Sequence, residues 1–302
     1  MSTRGARASK HIRLGAAAIW LSLFACVSSA SAQQINGRFD VGGRAIRLEC
    51  FGQGAPTVVI DAGMGTAPVE DQAWRRIAER VAETTRVCLH DRAGLGQSDL
   101  APVSERRTSA SASRDLHAAL TAARVAPPYL LAGHSIGGLN AQVFTSLYDA
   151  EIAGLVFISS THPQQVASWL AEFPPATADE PEAVTRARTY LMTVEGDPGL
   201  NLERMDVAAS NREAYAMRSL GSRPVVVATH SPRWRMEPDL PEPLAERLEA
   251  VTQDLQRRFL LLSSNSEQMI APTAGHGLPH EDPAFVAAAI LQGVAAVRKG
   301  QH

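Results

Sequence analysis

The stretch Tyr129-Leu-Leu-Ala-Gly-His-Ser-Ile-Gly-Gly-Leu139 decides how this chain folds. It begins with a short apolar run typical of a buried strand and continues into a helical sequence from Ile136 onward. Between the two lies Gly133-His-Ser-Ile-Gly137, which has the G-x-S-x-G spelling of a nucleophile elbow. A sharp strand-to-helix turn strains the backbone of its serine, and the flanking glycines let strand and helix pass closely. The stretch therefore predicts Ser135 as a nucleophile, with the N–H of Ile136 placed to stabilise negative charge.

The pentapeptide alone is weak evidence for catalysis. In a chain of this length and ordinary composition, G-x-S-x-G occurs by chance roughly one time in ten. A glycine-rich turn between a buried strand and a helix would look the same. The functional interpretation therefore depends on further motifs at the right order and distance.

The composition bounds the class of protein. The chain has 302 residues, of which 45% are hydrophobic and 20% charged, with a formal net charge of -2. These values are typical of one large globular domain, or of one domain with an inserted subdomain. The sequence is mildly acidic and has no basic runs, so nucleic acid is not an expected partner.

The N-terminus has the pattern of a secretory signal peptide over residues 1–32. Basic residues up to Arg13 precede an apolar run over 14–27, and Ala30-Ser-Ala32 provides a cleavage site. A transmembrane helix needs about 20 apolar residues, and this run is shorter. Lipid attachment at Cys26 is an alternative, because Leu23-Phe-Ala-Cys26 loosely resembles a lipobox. We therefore expect a periplasmic or secreted protein with no membrane span in the mature chain.

The rest of the chain alternates between strand and helix patterns. An antiparallel pair is predicted over 35–51, around the turn at Gly42-Gly43. Later predicted strands and helices follow in this order: strand 57–61, helix 71–83, strand 86–91, helix 113–125, strand 129–132, helix 136–148, strand 152–160, strand 224–228, helix 242–262, strand 268–272 and helix 283–298. This alternation indicates an α/β fold with a mostly parallel sheet covered on both faces.

One segment interrupts that alternation. Residues 164–220 are rich in Ala, Glu and Arg, with helical periodicity and several prolines. We interpret them as a helical cap inserted into a core formed by residues 33–163 and 221–302.

Four motifs in order connect this chain to a known family. They are Asp61-Ala-Gly-Met-Gly65, Asp91-Arg-Ala-Gly-Leu-Gly-Gln-Ser-Asp99, the pentapeptide 133–137, and Gly275-His276 with Glu281 and Pro283 downstream. With them, residues 35 to 300 resemble the α/β-hydrolase family, in its serine-nucleophile, cap-bearing branch. The resemblance implies an eight-stranded sheet in the order 1-2-4-3-5-6-7-8, with the second strand antiparallel. The catalytic groups would lie at the carboxyl ends of strands.

The same resemblance implies a catalytic base and an oxyanion hole. His276 lies on the loop after the last strand, where the family carries its base, and a serine hydroxyl needs such a base. The N–H groups of Ile136 and Met64 would form the oxyanion hole. No cofactor is implied.

The remaining histidines are not expected to be catalytic. His276 and His280 are four residues apart, but the intervening Gly277 and Pro279 forbid the helix that a metal pair at that spacing would use, so no metal site is predicted. We expect four of the histidines to be structural or substrate-facing: His134, His162, His230 and His280.

The acid of the triad is left open by the sequence. It should follow the strand over 224–228, but residues 229–236 contain no carboxylate. The other position at which such enzymes carry the acid follows Ile158 and holds Ser159-Ser160. Asp239 is the preferred candidate, and Glu237 and Asp206 are alternatives.

The resemblance also predicts a disulfide. In the family's strand order, the strand that holds Cys50 lies next to the one that holds Cys88. Paired residues on adjacent strands are close enough for a disulfide. An exported protein would keep such a bond.

Together these observations predict an exported serine hydrolase that cleaves a small carboxylic ester through an acyl-enzyme on Ser135. An amidase or peptidase would differ only in the leaving group. Dehalogenation in this fold uses an aspartate nucleophile, so Ser135 argues against it. Because no triad acid is obvious, a non-catalytic ligand-binding protein of the same fold is a further alternative.

Overall fold

Residues 34–300 carry the fold. The structure, a computed structural model, describes residues 1–3, 5 and 34–300. Nearly all of the predicted signal peptide lies outside the described residues, including Cys26 and the cleavage site at Ala32. Within the described residues, no helix combines the length and the apolar character needed to cross a membrane.

Eight strands form one sheet in the order β1-β2-β4-β3-β5-β6-β7-β8. β2 pairs antiparallel with β1 and with β4, and the other neighbouring strands are parallel. The strands are β1 (Ile35–Asp40), β2 (Ala45–Phe51), β3 (Thr57–Asp61), β4 (Val87–Asp91), β5 (Tyr129–His134), β6 (Ile152–Ile158), β7 (Val225–Thr229) and β8 (Ser266–Ile270). The predicted fold class and strand order are confirmed.

Helices cover both faces of the sheet. The α-helices within the described residues, including those of the segment between β6 and β7, are α1 (Gln72–Ala82), α2 (Ser109–Ala122), α3 (Ile136–Leu147), α4 (Gln165–Glu172), α5 (Glu182–Gly196), α6 (Val207–Ala214), α7 (Glu242–Arg258), α8 (Leu278–Glu281) and α9 (Pro283–Lys299). One core layer packs α1 and α9 against strand residues such as Val58, and the opposite layer packs α2 and α3 against residues such as Val59. Successive strand residues point to opposite faces, so an unbroken apolar strand supplies both layers.

Helix α2 starts earlier than its sequence pattern predicts. Thr108 and Ser111 form a capping box, in which each side chain bonds the backbone N–H of the other. This cap starts the helix at Ser109 rather than near residue 113, because it satisfies N–H groups that the first turn leaves free.

The segment between β6 and β7 holds α4, α5 and α6. Helices α4 and α5 form an apolar cluster with α7, centred on side chains such as Trp169, Leu191 and Leu248. Helix α6 packs instead against α2 and α3, where Ala214 and the preceding Met205 belong to one apolar cluster with Leu139 and Val143. The apolar side chains of the segment therefore pack in two separate clusters.

Cys50 and Cys88 form the predicted disulfide. The two residues lie directly opposite each other in the antiparallel pair of β2 and β4, with their Cα atoms 4.1 Å apart. Both side chains are buried in the core layer beneath α2. The bond therefore joins two strands that are already neighbours in the sheet.

We expect the double substitution Cys50→Ala/Cys88→Ala to lower the free energy of unfolding by about 2–4 kcal/mol, because the bond closes a loop of 38 residues in the unfolded chain. Urea unfolding with and without dithiothreitol measures this. The reductant should destabilise the native protein and leave the double variant unchanged. Two free thiols in the unreduced, denatured native protein would contradict the prediction.

Candidate active site

Ser135 lies at the turn between β5 and α3 in a strained backbone conformation. Its φ is 53° and its ψ is -123°, a combination that side chains rarely adopt and that costs about 1–3 kcal/mol. A Cβ atom on Gly137 would lie 2.0 Å from the carbonyl oxygen of Asp61, and one on Gly133 would lie 2.5 Å from that of Gly137. Because only glycine fits at these two positions, the G-x-S-x-G spelling follows from the packing.

His276 contacts the hydroxyl of Ser135. Its Nε2 lies 3.1 Å from Ser135 Oγ, although the two residues are 141 positions apart in the chain. His276 is half-buried on the loop after β8. The ring of His134 supports that loop through a hydrogen bond of 2.8 Å between its Nε2 and the backbone oxygen of His276. This geometry allows the imidazole to accept the serine proton.

The surroundings favour the neutral form of His276. Burial lowers its pKa well below the ordinary 6.5, and the nearby imidazoles of His134 and His230 lower it further. Burial also lowers the pKa of His134, to about 4. His276 is therefore available as a base at neutral pH.

Met64 and Ile136 line the same cavity as Ser135 and His276. In the part of the chain that the structure describes, neither of their backbone N–H groups has a hydrogen-bond acceptor. Both N–H groups are therefore available to a bound substrate oxygen.

A buried arginine holds the loop that carries Met64. Arg92 donates to the carbonyl oxygens of Ala62 and Gly63, at 2.6 and 2.8 Å. It also binds both carboxylate oxygens of Glu203 at 2.7 Å, and Glu203 accepts from the N–H of Gly65 at 2.8 Å. Burial alone would raise the pKa of Glu203, but Arg92, the N–H of Gly65 and Arg107 together lower that pKa below the ordinary value. This charged pair fixes the loop on both sides of Met64.

The cavity has a volume of about 450 Å³ and a largely apolar wall. Residues between β6 and β7 supply much of this wall, including Val166, Trp169, Tyr190 and Leu191. Trp234 and Met236 add apolar surface from the loop after β7. Such a cavity suits a small, mainly apolar molecule, held beside the serine.

The structure does not bring Asp239 to His276. Asp239 is on the surface, with its side chain 77% exposed, and pairs with Arg186 at 3.5 Å. The loop between β7 and α7 places Asp239 at the surface just before α7, so its carboxylate does not contact the imidazole of His276. The expectation that Asp239 orients His276 therefore has no support in the geometry.

The two alternative acids are also engaged elsewhere. Glu237 lines the cavity but lies 3.6 Å from Arg186. Asp206 caps helix α6 through the N–H of Ala209, at 2.8 Å. Among the described residues, no carboxylate is hydrogen-bonded to His276.

Ser159 takes the position that a carboxylate was expected to occupy. Its Oγ lies 2.8 Å from Nδ1 of His276 and 2.6 Å from Nδ1 of His230. Ser159 and His230 directly follow β6 and β7, so both lie at carboxyl ends of parallel strands, where α/β folds place their functional groups. Their position after these strands was the feature of the sequence that could have identified them as site residues. Neither residue, however, is the carboxylate that the family pattern requires.

The other histidines have separate surroundings. His280 is exposed and pairs with Asp71 at 2.9 Å. His162 packs against Phe259, with ring centroids 5.2 Å apart. His230 was expected to be structural or substrate-facing, and it lies directly behind the contact between Ser159 and His276.

Comparison with known proteins gives a family match and a similar bacterial sequence. Residues 55–289 match the alpha/beta hydrolase family. The uncharacterized protein YqjL of Bacillus subtilis is 25% identical over 245 residues, which cover 79% of this chain and 83% of YqjL.

Two solved structures share the architecture. A loop variant of the haloalkane dehalogenase DbeA from Bradyrhizobium elkanii aligns with a TM-score of 0.64 at 16% identity, covering 89% of this chain and 99% of the dehalogenase. A thermophilic esterase from Thermogutta terrifontis aligns with a TM-score of 0.57 at 18% identity, covering 88% of this chain and 99% of the esterase. At these identities the likeness concerns the fold. The family match over most of the sequence, together with the eight-stranded sheet, shows that this chain belongs to the alpha/beta hydrolase family.

Proposed function

We propose that this protein is a serine hydrolase that cleaves a small carboxylic ester through an acyl-enzyme on Ser135. The observation that carries the proposal is the contact of 3.1 Å between Ser135 Oγ and His276 Nε2. The hydroxyl lies at a strained strand-to-helix turn and lines a cavity of about 450 Å³. Membership of a hydrolase family supports the reaction class.

The proposed reaction has two steps. In the first, Nε2 of His276 takes the proton of Ser135 while Oγ attacks the ester carbonyl, and the protonated imidazole then returns this proton to the leaving alcohol. In the second, His276 takes a proton from water, which attacks the acyl-enzyme, and the proton returns to Ser135 as the acid leaves. In both steps the N–H groups of Ile136 and Met64 would stabilise the oxyanion.

We assign residues 164–220 the role of a cap that shapes the acyl or alcohol pocket. The support is the contribution of Trp169, Tyr190 and Leu191 to the cavity wall. A cap of this kind would also exclude water from the reacting ester.

Export is part of the proposal. It is supported by the Cys50–Cys88 disulfide, because such bonds persist mainly in oxidising compartments outside the cytosol. The signal-peptide pattern of residues 1–32 points in the same direction.

A non-catalytic binding protein is the second candidate. The observation in its favour is that Nδ1 of His276 contacts a hydroxyl rather than a carboxylate. A reactive serine distinguishes the two, because a binding protein has no need of an activated nucleophile.

The reactivity of Ser135 tests both candidates. A fluorophosphonate probe should label the native protein and fail to label Ser135→Ala, which should also lose hydrolysis of p-nitrophenyl esters by about 10⁴-fold or more. Ser146→Ala is the matched control, since Ser146 is an exposed serine on the same helix. Folded native protein that takes no label would favour the binding protein.

The pH profile of kcat/KM tests the role of His276. Its acid limb should lie below pH 6.5, because the lowered pKa keeps the base neutral until the pH falls through that lower value. Hydrolysis of a p-nitrophenyl ester measures it, with circular dichroism to confirm that the protein stays folded. His280→Gln, a change to an exposed histidine, should leave the limb in place. A limb at or above 6.5 would contradict the assignment.

The leaving group is tested with matched substrates. A panel of p-nitrophenyl esters beside the p-nitroanilides of the same acids compares an alcohol with an amine leaving group on one acyl chain. We expect turnover of the esters and slower or no turnover of the anilides. Faster cleavage of the anilides would assign the protein to the amidases.

A further inference from the structure

A chain of buried hydrogen bonds leads from His276 to a carboxylate. Ser159 Oγ lies between Nδ1 of His276 and Nδ1 of His230, at 2.8 and 2.6 Å. On the far side of its ring, Nε2 of His230 lies 3.1 and 3.3 Å from the two carboxylate oxygens of Glu249. The three residues behind His276 are 3%, 1% and 5% exposed, in the order Ser159, His230 and Glu249.

With Glu249 ionised and both imidazoles neutral, these groups allow one consistent arrangement of protons. The Glu249 carboxylate can only accept, so Nε2 of His230 carries a proton and donates it. Nδ1 of the neutral ring is then an acceptor, and the hydroxyl of Ser159 donates to it. The oxygen of Ser159 accepts in turn from Nδ1–H of His276, which leaves Nε2 of His276 free to accept from Ser135.

We propose that Ser159, His230 and Glu249 together replace the carboxylate that orients the catalytic histidine. The inference rests on the proposed function, because it concerns the base of the same reaction. Glu249 fixes the tautomer of His230, His230 fixes the direction of the Ser159 hydroxyl, and this hydroxyl fixes the tautomer and orientation of His276. The three are positioning residues, since none of them lines the cavity.

The same hydrogen-bond chain places a negative charge behind His276 when its ring is protonated during the reaction. His276 gains a positive charge once it has taken the serine proton, and a direct carboxylate would normally stabilise that charge. Here Glu249 does so from a distance, through hydrogen bonds in a buried region of low dielectric where charges act over longer range.

The burial of Glu249 is difficult to explain by stability alone. Among the described residues, no Lys or Arg forms an ion pair with it, and its partners are His230 and the Nε2 of Gln253 at 2.7 Å. Burying a carboxylate without a cationic partner is costly, and an apolar residue in its place would often be better tolerated. A carboxyl group buried in this position and bonded to His230 therefore supports a role in the site.

Trp234 packs against the imidazole rings of both His230 and His276. Its ring packs edge-on against His230, with centroids 4.9 Å apart, and lies 5.7 Å from His276. A Cβ on Gly275 would lie 2.3 Å from the Trp234 ring, so the loop that carries His276 packs closely against the indole. The rings therefore have little freedom to leave the hydrogen-bond chain.

Tautomers measured by nitrogen NMR test the inference without a substrate. Long-range ¹⁵N–¹H spectra of the native protein at neutral pH should show His276 protonated at Nδ1 and His230 protonated at Nε2. Signals lost in His276→Gln and in His230→Gln assign the two rings. The opposite tautomer at either ring would overturn the proposal, whether or not the protein turns over an ester.

Kinetics of Glu249→Gln test the effect on catalysis. We expect kcat to fall by about 10- to 1000-fold, less than the loss of about 10⁴-fold seen when a directly bonded triad carboxylate is made an amide, because the charge acts from further away. KM should change little, since Glu249 does not line the cavity. Glu246→Gln is the matched control, an exposed glutamate on the same helix, and should behave as the native protein.

The acid limb of kcat/KM provides a readout that a purely structural role would not move. In Glu249→Gln it should shift to lower pH, because loss of the negative charge disfavours the imidazolium of His276. In the described part of the chain, the other titratable groups near His276 are His134 and His230, with ring centroids 5.1 and 6.2 Å away, Glu281, which accepts from the N–H of Gly275, and Glu237, which lines the same cavity. All four remain in this variant.

Rescue by Ser159→Asp separates positioning from folding. This substitution places a carboxylate directly at Nδ1 of His276, and aspartate tolerates the positive φ of 39° at this position better than most residues. Ser159→Asp/Glu249→Gln should recover kcat relative to Glu249→Gln alone.

Two outcomes would count against the proposals in different ways. If native protein is labelled by fluorophosphonate and the kcat of soluble Glu249→Gln matches the native value, the hydrogen-bond chain has no catalytic role. Absence of labelling in native protein would instead refute the proposed hydrolase, and the tautomers would still decide the hydrogen-bond chain.

Discussion

The close approach of β5 and α3 is the constraint on which the rest of the site depends. Gly133 lets β5 pass α3 at a distance that any side chain would block, and Gly137 lets α3 pack equally closely against the end of β3 at Asp61. The turn between β5 and α3 holds Ser135 at a positive φ. The packing of the apolar strands in both core layers compensates the cost of this strain and determines where the turn lies. The backbone of Ser135 is thereby held in one conformation, which places its hydroxyl within reach of His276.

A buried ion pair has a comparable role on the other side of the nucleophile. Arg92 and Glu203 bind the loop at Met64 from both sides, and Glu203 belongs to the segment between β6 and β7. The loop that would supply half of the oxyanion hole is thereby connected to the segment that forms the cavity wall. Oxyanion stabilisation requires donors that are already in place before the charge develops, and a charged pair buried among backbone carbonyls provides that rigidity.

In the proposed hydrogen-bond chain, the negative charge lies further from the imidazole of His276 than in a triad whose carboxylate bonds the histidine directly. The two strand ends that could carry a triad acid hold Ser159 and His230 instead, and the carboxylate is on helix α7 at Glu249. A carboxylate that is moved away from the imidazole can still orient it, provided that the intervening groups have only one consistent pattern of donors and acceptors. This arrangement exchanges one short contact for three, each of which must be buried and aligned.

The sequence by itself determined the order of strands and helices, the turn at Ser135 and the strand neighbours Cys50 and Cys88. These features follow from local patterns and from motifs whose order matches a known family, because hydrophobic periodicity and glycine spacing act over a few residues. Only the tertiary structure decided what contacts Nδ1 of His276. Ser159, His230 and Glu249 lie on three different elements, and Asp239 is carried to Arg186 by a loop whose path depends on packing against α5 and α7. No local sequence pattern predicts that these residues contact one another, because their contacts depend on how distant elements are arranged in space.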